Sequence, residues 1–581
     1  MRKHAIYKKV RGLAALALLS PSALFFSSCG DFLEIEPQDR IVLKKFWNEK
    51  SDVDNVLVSC YSALQTENVV SRMMVWGEFR SDNIEKGTNI SNVVNLQRVI
   101  NENIDASNGY TTYNEFYGVI NRCNTVLLYA PQVAEKDPAY SETMLRSTEA
   151  EAKALRALCY FYLIRTFRDV PYITEAYTDD NQPMEIAATP FNEILDSLIS
   201  DLESVKGDAM VRYPSTQALY QTGRITRDAI YSMLCEMYLW KQDYQNCVKY
   251  ADLVIDSKKD YYKEKYSGRN LDQDGRLNGY PIEASRYGTS NEFGRAFYNI
   301  FGQTNSSVGV GDSDEIIFEL VYMNSSGMMR NGAVNSLYGN ATDPQGYVGP
   351  AAYLIYDENS SSNLFKKYDA RYYENMYSLG SKQYGINKYV RRMNDITVSG
   401  TTTNSYMLTV TSPYPKDDNT SNWIIYRLTD IMLLKAEALT EMGSDGSSEL
   451  SQAFELVQAV NNRSILQTII TDSLQAKSYV AKKETMQELV LEERQRELMF
   501  EGKRWYDLVR RSLRDGNTDV LTGYLGYKDL PNSAVALRRL KKIDAIFWPY
   551  NLEEMRVNNA LVQNPAFGSG ENSSFTNTSG N

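Results

Sequence analysis

Three stretches of this chain share one plan, and that plan leaves few folds open. In "EAEAKALRALCYFYLIRTF" Leu155, Leu158, Cys159 and Tyr162 fall at the i, i+3, i+4, i+7 spacing of a single buried helix face. Pro171, in "RDVPYI", closes that element. In "RDAIYSMLCEMYLWKQDYQNCVKYADLVIDS" Ala229, Met233, Leu234, Met237 and Tyr238 form one apolar stripe, Lys241 to Asp243 interrupt it, and Tyr244, Cys247, Val248 and Ala251 form a second. The third stretch, "IIYRLTDIMLLKAEALTEMGSDGSSELSQAFELVQAVNNRS", repeats the plan: apolar helix, Gly-Ser turn at Gly443 to Ser448, second amphipathic helix.

Such helix pairs bury a continuous core only when stacked on other pairs. The spacing, with a small Ala251 where two helices must approach closely, is of tetratricopeptide type. The predicted fold class is therefore mostly α, a scaffold of tetratricopeptide-like pairs contributed by about 29–256 and 422–581. Between Ser257 and Asn422 the texture changes. Gly, Ser, Asn, Asp and Tyr dominate, and helical periodicity is mostly lost. A short apolar run, Ile316 to Tyr322, reads as a strand. Aromatic residues argue against disorder here, so about 257–421 is expected to be a loop-rich, ligand-binding insertion with a few short strands. A rigid frame carrying long loops is a common layout for a binding site.

Composition narrows the function. The chain has 581 residues with a net charge of −11, which argues against a nucleic-acid partner because phosphate binding needs a basic face. Its single histidine, His4, lies in a segment expected to be removed. Without His the mature chain runs no Ser-His-Asp or Cys-His mechanism and builds no His-based zinc site. Carboxylate-pair chemistry stays open. Tyrosine is the outlier at 42 residues, and it pairs a flat apolar face with a hydroxyl at low rotamer-entropy cost.

Residues 1–28 read as a lipoprotein signal peptide. "MRKHAIYKKVRG" is basic, Leu13 to Leu19 is a short apolar run, and small residues precede Cys29. The pattern is similar to a bacterial lipobox, with Phe26 where Leu is usual, and makes Cys29 the expected site of lipidation. Acyl chains there anchor a protein to a membrane without a spanning helix. Simple cleavage nearby is the alternative. The remaining cysteines, Cys60, Cys123, Cys159, Cys235 and Cys247, are odd in number and irregular in spacing, which argues against a disulfide framework.

"LEERQRELMFEGKRWYDLVRR", Leu491 to Arg511, crowds charges of both signs together. Glu493 and Arg496 stand three apart, where opposite charges meet on one helix flank. Leu491, Leu498 and Trp505 recur every seven residues as one face, and Gly502 suggests a break or a close backbone approach. A glycosidase needs two carboxyl groups facing each other across a cleft at roughly 5–9.5 Å. Glutamates on one helix, already paired with arginines, do not provide that, so the stretch is expected to be scaffold.

Seven motifs in order then carry a resemblance: "CGDFLEIEPQDRI", "WGEFRSDN", "YNEFYGVINRCNTVL", "EAKALRALCYFYLIRTFRDVPYI", "YRLTDIMLLKAEAL", "EERQRELMFEGKRWYDLVR" and "FWPYNLEEMRVNNALVQNPAFG". Together they make the chain resemble the SusD-like (RagB/SusD) nutrient-binding lipoproteins of Bacteroidetes outer membranes, over nearly all of a single domain spanning 29–581. Tyr550 departs from the usual C-terminal pattern. The resemblance implies helix pairs packed against an irregular ligand-binding part. It also implies a non-enzymatic role: a lipid-anchored, outward-facing lid over a SusC-like TonB-dependent transporter, binding oligosaccharide or other nutrient and handing it on.

For ligand contact two places stand out: the early segment with Trp76, Arg80, Asp82, Asn83 and Tyr113, and the insertion with Tyr298, Tyr338 and Tyr347. Aromatic rings there would stack on the C–H face of a sugar, while Asn, Asp and the planar fork of Arg read its hydroxyls. No cofactor is expected. "NLDQDG" sets Asn270, Asp272 and Asp274 at the spacing of an EF-hand start, but the twelfth position is Pro281 rather than a bidentate Glu, which leaves calcium a weak alternative to a solvated turn. Alternatives to glycan capture are binding of peptides or glycoprotein fragments, a carboxylate-dependent glycoside hydrolase, and a pure interaction scaffold.

Overall fold

The computed structural model describes residues 46–179, 181–266, 279–283, 292–302, 314–322, 330–340, 345–390, 395–399, 407–411, 420–465 and 474–568. Two units divide the chain, Met1–Phe46 and Trp47–Asn581. Of the first only Phe46 is among the described residues, so Cys29 lies outside them, as do Asn270, Asp272 and Asp274.

The second unit is a stack of helices: α1 (Lys50–Leu64), α2 (Glu67–Met74), α3 (Asn114–Ala134), α4 (Glu142–Phe167), α5 (Phe191–Val205), α6 (Arg227–Trp240), α7 (Tyr244–Lys265), α8 (Leu428–Met442), α9 (Ser448–Ser464), α10 (Lys483–Leu498), α11 (Arg504–Asp515) and α12 (Asp519–Leu525). Side-chain oxygens start several of them, Thr226 capping α6, Asp243 capping α7 and Ser447 capping α9. Neighbours pack in sequence, α3 on α4, α4 on α5, α5 on α6 and α6 on α7. The stack then resumes with α8 against α7, across the whole insertion, and α9 and α10 close on α8. The stripes read from the sequence are the contacts: Ala229, Met233, Leu234, Cys247 and Ala251 are all fully buried. The fold is mostly α with tetratricopeptide-like pairing. Among the described residues no helix is long and apolar enough to cross a membrane.

The insertion adds short strands. β1 (Ile84–Lys86) pairs antiparallel with β4 (Val348–Pro350), and β5 (Met376–Gly380) with β6 (Gln383–Ile386). β2 (Glu292–Phe293), β7 (Asp395–Ser399) and β8 (Met407–Thr411) form a three-stranded sheet. β3 (Ile316–Leu320) pairs with β9 (Trp423–Arg427), setting Phe318 against Tyr426 and Leu320 against Trp423. The strand expected at Ile316 to Tyr322 is β3. "IIYR", expected to open a helix, is instead β9: Ile424 and Ile425 are β-branched, and a partner strand from the insertion accepts them.

The apolar face expected to run through Leu491, Leu498 and Trp505 is also broken. α10 ends at Leu498, and Trp505 belongs to α11. Between them Gly502 has φ +73°, and its carbonyl oxygen would lie 1.8 Å from a Cβ at Gly77. Two glycines let two backbones touch there. Glu78 fills the same joint, accepting from the backbone N–H groups of Phe500 (3.0 Å), Gly502 (3.1 Å) and Lys503 (3.2 Å).

β3 carries one ionisable group into the core. Glu319 is fully buried, with Thr222 Oγ1 donating to it at 2.9 Å, and burial pushes its carboxyl up from 4.5 to about 7. A carboxyl whose folded pKa stands above its unfolded value makes stability fall as pH rises from about 4.5 to about 7. Glu319→Gln keeps the acceptor for Thr222 and cannot ionise. Thermal melts are expected to show the variant above the parent at pH 8, with the difference vanishing below pH 4.5.

Candidate functional site

The charged stretch at α10 and α11 is interior. Glu493, Glu497 and Glu501 are all buried, and each faces cations from other elements. Glu497 accepts from Arg427 at 2.7 Å, from Arg371 at 3.2 Å and from Arg463. Glu493 pairs with Arg371 at 2.7 Å and with its helix neighbour Arg496 at 2.9 Å. Glu501 holds Arg427 at 2.7 Å and Lys388 at 2.9 Å. Glu315, just before β3, completes the cluster with Arg427 at 2.6 Å and Arg463 at 3.1 Å. Burial alone would raise the Glu497 carboxyl, but Arg463, Arg427 and Arg371 more than reverse that and hold it well below its ordinary value. The same burial pulls Lys388 down to about 8. No carboxylate of this cluster faces a cleft, so none meets the geometry of a glycosidase pair.

Four residues expected to touch ligand belong to the same interior. Trp76, Arg80, Asp82 and Asn83 are 0% exposed, which corrects the expectation. Trp76 stacks on Phe116 at 4.9 Å, meets Phe167 edge-on at 5.4 Å, and donates Nε1–H to the Tyr110 carbonyl at 2.8 Å. Arg80 grips Glu102 with two hydrogen bonds, donates to the carbonyls of Ala545 and Ile546, and lies 4.2 Å from the Trp505 ring centroid. Asp82 takes a two-pronged contact from Arg504 (2.8 and 3.0 Å), and Asn83 donates to Glu78 at 2.7 Å. Buried charges persist only when paired, and these pairs, with Gln495 Nε2 donating to Asp82 and Asn83, weld the early segment to α10, α11 and the carbonyls of Ala545 and Ile546. Tyr338 is likewise fully buried, donating to the Phe500 carbonyl at 3.0 Å, and is corrected with them. Tyr113 is 4% exposed, yet it lines a mostly apolar pocket of about 320 Å³ with Tyr117, Ile120 and Ile173.

Tyr347 and Tyr298 stay half-buried at the surface of the insertion. Tyr298 sits in the turn Tyr298–Gly302 beside Phe297, whose ring centroid is 4.3 Å from Lys388 Nζ. Tyr347 stands where the early segment and the insertion meet. The β1–β4 ladder joins the two, and Gly87 N–H extends it to the Tyr347 carbonyl at 2.9 Å. A Cβ at Gly87 would lie 2.9 Å from that carbonyl, so the approach requires glycine. Thr88 adds a hydroxyl bond to Gln345 at 2.6 Å. Tyr110, half-buried, shares this edge: burial pushes its hydroxyl up to about 12 against the pull of Arg72, and Tyr347 and Glu67 add to the rise. Sequence reasoning named the segment but not Tyr110, because nothing local says that Trp76, 34 residues away, bonds its carbonyl. Among the described residues no group of three His, Cys, Asp or Glu side chains is placed to hold a metal ion.

Two family models cover most of the chain. One, described as "SusD family", matches residues 314–567, and another, "Starch-binding associating with outer membrane", matches residues 31–239. The chain belongs to the SusD-like family. A SusD-like protein of Formosa agariphila is 27% identical over 521 residues, spanning 87% of this chain and 92% of the relative. Surface glycan-binding protein A from Bacteroides uniformis shares the fold at TM-score 0.61 and 19% identity, over 89% of this chain and 100% of that one. A laminarin binding SusD-like protein does so at TM-score 0.58 and 19% identity, again over 89% and 100%. The SusD-like fold here is held by a buried polar core.

Arg427→Met leaves Glu315, Glu497 and Glu501 short of a cation in the interior. Urea unfolding is expected to show a loss of about 3–5 kcal/mol. Arg146→Ala, which removes an exposed pair with Glu142, is expected to cost under about 1 kcal/mol.

Proposed function

We propose that this SusD-like chain is a cell-surface glycan-binding lipoprotein that captures oligosaccharide without cleaving it and passes it to a partner TonB-dependent outer membrane transporter of the SusC-like type. The observation that carries the reading is the edge at Tyr110 and Tyr347. Two half-exposed tyrosines from segments more than 200 residues apart lie near enough for Tyr347 to raise the Tyr110 hydroxyl, with a backbone ladder ordering the chain at Tyr347 and buried Trp76 bonding the Tyr110 carbonyl. A tyrosine ring on an ordered backbone offers a sugar's apolar face a stacking surface, and Glu67, Ser336 and Thr88 supply polar groups nearby. The names of structural neighbours, one a surface glycan-binding protein and one a laminarin binder, support the ligand class. Tyr298 is a further contact on this reading, because it is half-exposed in the same insertion. Lipidation at Cys29 would hold the chain to the outer membrane, facing outward.

Calorimetry against laminarin, starch, xylan and a casein peptide digest tests this. A polysaccharide is expected to bind, and Tyr347→Ala and Tyr110→Ala are each expected to weaken it about tenfold, the equivalent of about 1.4 kcal/mol. The polysaccharide recovered after incubation is expected to carry no new reducing ends. Binding of the peptide digest alone would replace glycan with peptide as the cargo, and new reducing ends would make the chain a hydrolase.

A further inference from the structure

A second surface has the makings of a saccharide site and lies outside every residue assigned above. It is a cleft of about 820 Å³ between the loop at 352–364, the exposed flank of α10, and the end of α12 with Tyr527 beyond it. Its aromatic wall is a stacked pair. The Tyr353 and Tyr527 rings lie 5.3 Å apart with 23° between planes. Tyr353 is pinned from behind, donating to Asp82 Oδ2 at 2.6 Å and accepting from Gln495 Nε2 at 2.7 Å, while Arg504 clamps the same Asp82. Tyr527 rides on that fixed ring and remains 59% exposed. An exposed tyrosine on a rigid support is a stacking platform already ordered before any ligand arrives.

The opposite walls are built to read hydroxyl groups. The loop braces itself, Asn363 Nδ2 donating to the carbonyls of Asp357 (2.7 Å) and Ser360 (2.9 Å), which leaves Ser361 and Ser362 exposed on the cleft. Glu484 and Glu488, one turn apart on α10, are exposed and have no ion pair among the described residues. Arg511, also on the cleft, is held by Asp515 at 2.5 Å. At the base Gln495 is 1% exposed, and its Oε1 has no hydrogen-bond partner among the described residues. Hydroxyl groups donate well to carboxylates, whereas sulfate or uronate groups meet uncompensated like charge.

We infer that this cleft is a second saccharide site, separate from the Tyr110–Tyr347 edge, that takes neutral oligosaccharides and rejects anionic ones. The inference rests on the glycan-binding reading above. Its test is isothermal calorimetry of the full chain with laminarihexaose, maltohexaose, xylohexaose and hexagalacturonate. The parent is expected to bind a neutral hexasaccharide at two sites. Tyr527→Ala, an exposed substitution whose fold is checked by circular dichroism, is expected to remove one site. Tyr110→Ala combined with Tyr347→Ala is expected to remove the other. Glu484→Gln with Glu488→Gln is expected to weaken neutral binding at the cleft and to raise hexagalacturonate affinity at least threefold. If a neutral hexasaccharide binds and Tyr527→Ala changes neither stoichiometry nor affinity, the cleft is not a site while the glycan reading stands. If Tyr527→Ala alone abolishes binding, the cleft stands and the edge falls. No binding of any neutral hexasaccharide by the parent overturns both.

Discussion

Arg427 is the residue the rest of the structure leans on. It ends β9, opens α8, and puts its guanidinium between Glu315, Glu497 and Glu501, so one side chain joins the insertion to the helical stack. Around it Arg371, Lys388 and Arg463 neutralise the same carboxylates, and Arg371 and Arg496 together hold Glu493. Phe297 lies against three of these cations, its ring centroid 4.3 Å from Lys388 and 5.7 Å from both Arg427 and Arg463. Taking this many charges from water costs several kcal/mol per ion. The cluster survives because nearly every lone pair has a donor, and because losing one member strands the others.

A second polar joint, made by Glu78, Asp82, Asn83 and Arg504, sits where α2 meets the break between α10 and α11. Val75–Phe79 widens there into a π-helical turn, so that Gly77 passes directly beneath Gly502. This joint supports the surfaces above it. Trp76 holds the backbone carbonyl of Tyr110, and Asp82 holds the hydroxyl of Tyr353. The residues that look functional in the sequence work one layer beneath the ones that meet solvent. Specificity, on this account, comes from rings and hydroxyls whose positions are settled before a ligand arrives.

The helical half of the fold was legible because each apolar stripe carries its own period. Ala229 to Tyr238 and Tyr244 to Ala251 predict two helices and the break between them without any outside partner. Elements whose form depends on distant partners were harder to see. Ile424 and Ile425 form a strand because β3 accepts them, and Trp505 leaves the face of Leu498 because Gly77 makes room for a break. The site was the least legible part. Arg80 and Asp82 in "WGEFRSDN" read as ligand contacts, yet their partners Glu102, Ile546 and Arg504 are scattered over the chain, and composition cannot distinguish a buried ion pair from an exposed one. Tyr527 carries no local signal at all. Its proposed role follows only from its stacking on Tyr353, far away in sequence.

The central claim is that buried charge makes the insertion and the helical stack one cooperative body. Hydrogen exchange of Glu497→Gln against the parent, followed peptide by peptide, tests it most directly. The account predicts faster exchange in α10, in the β3–β9 pair and in β5–β6 together, at a common opening rate. Loosening confined to α10, with the strands of the insertion exchanging as in the parent, would contradict it.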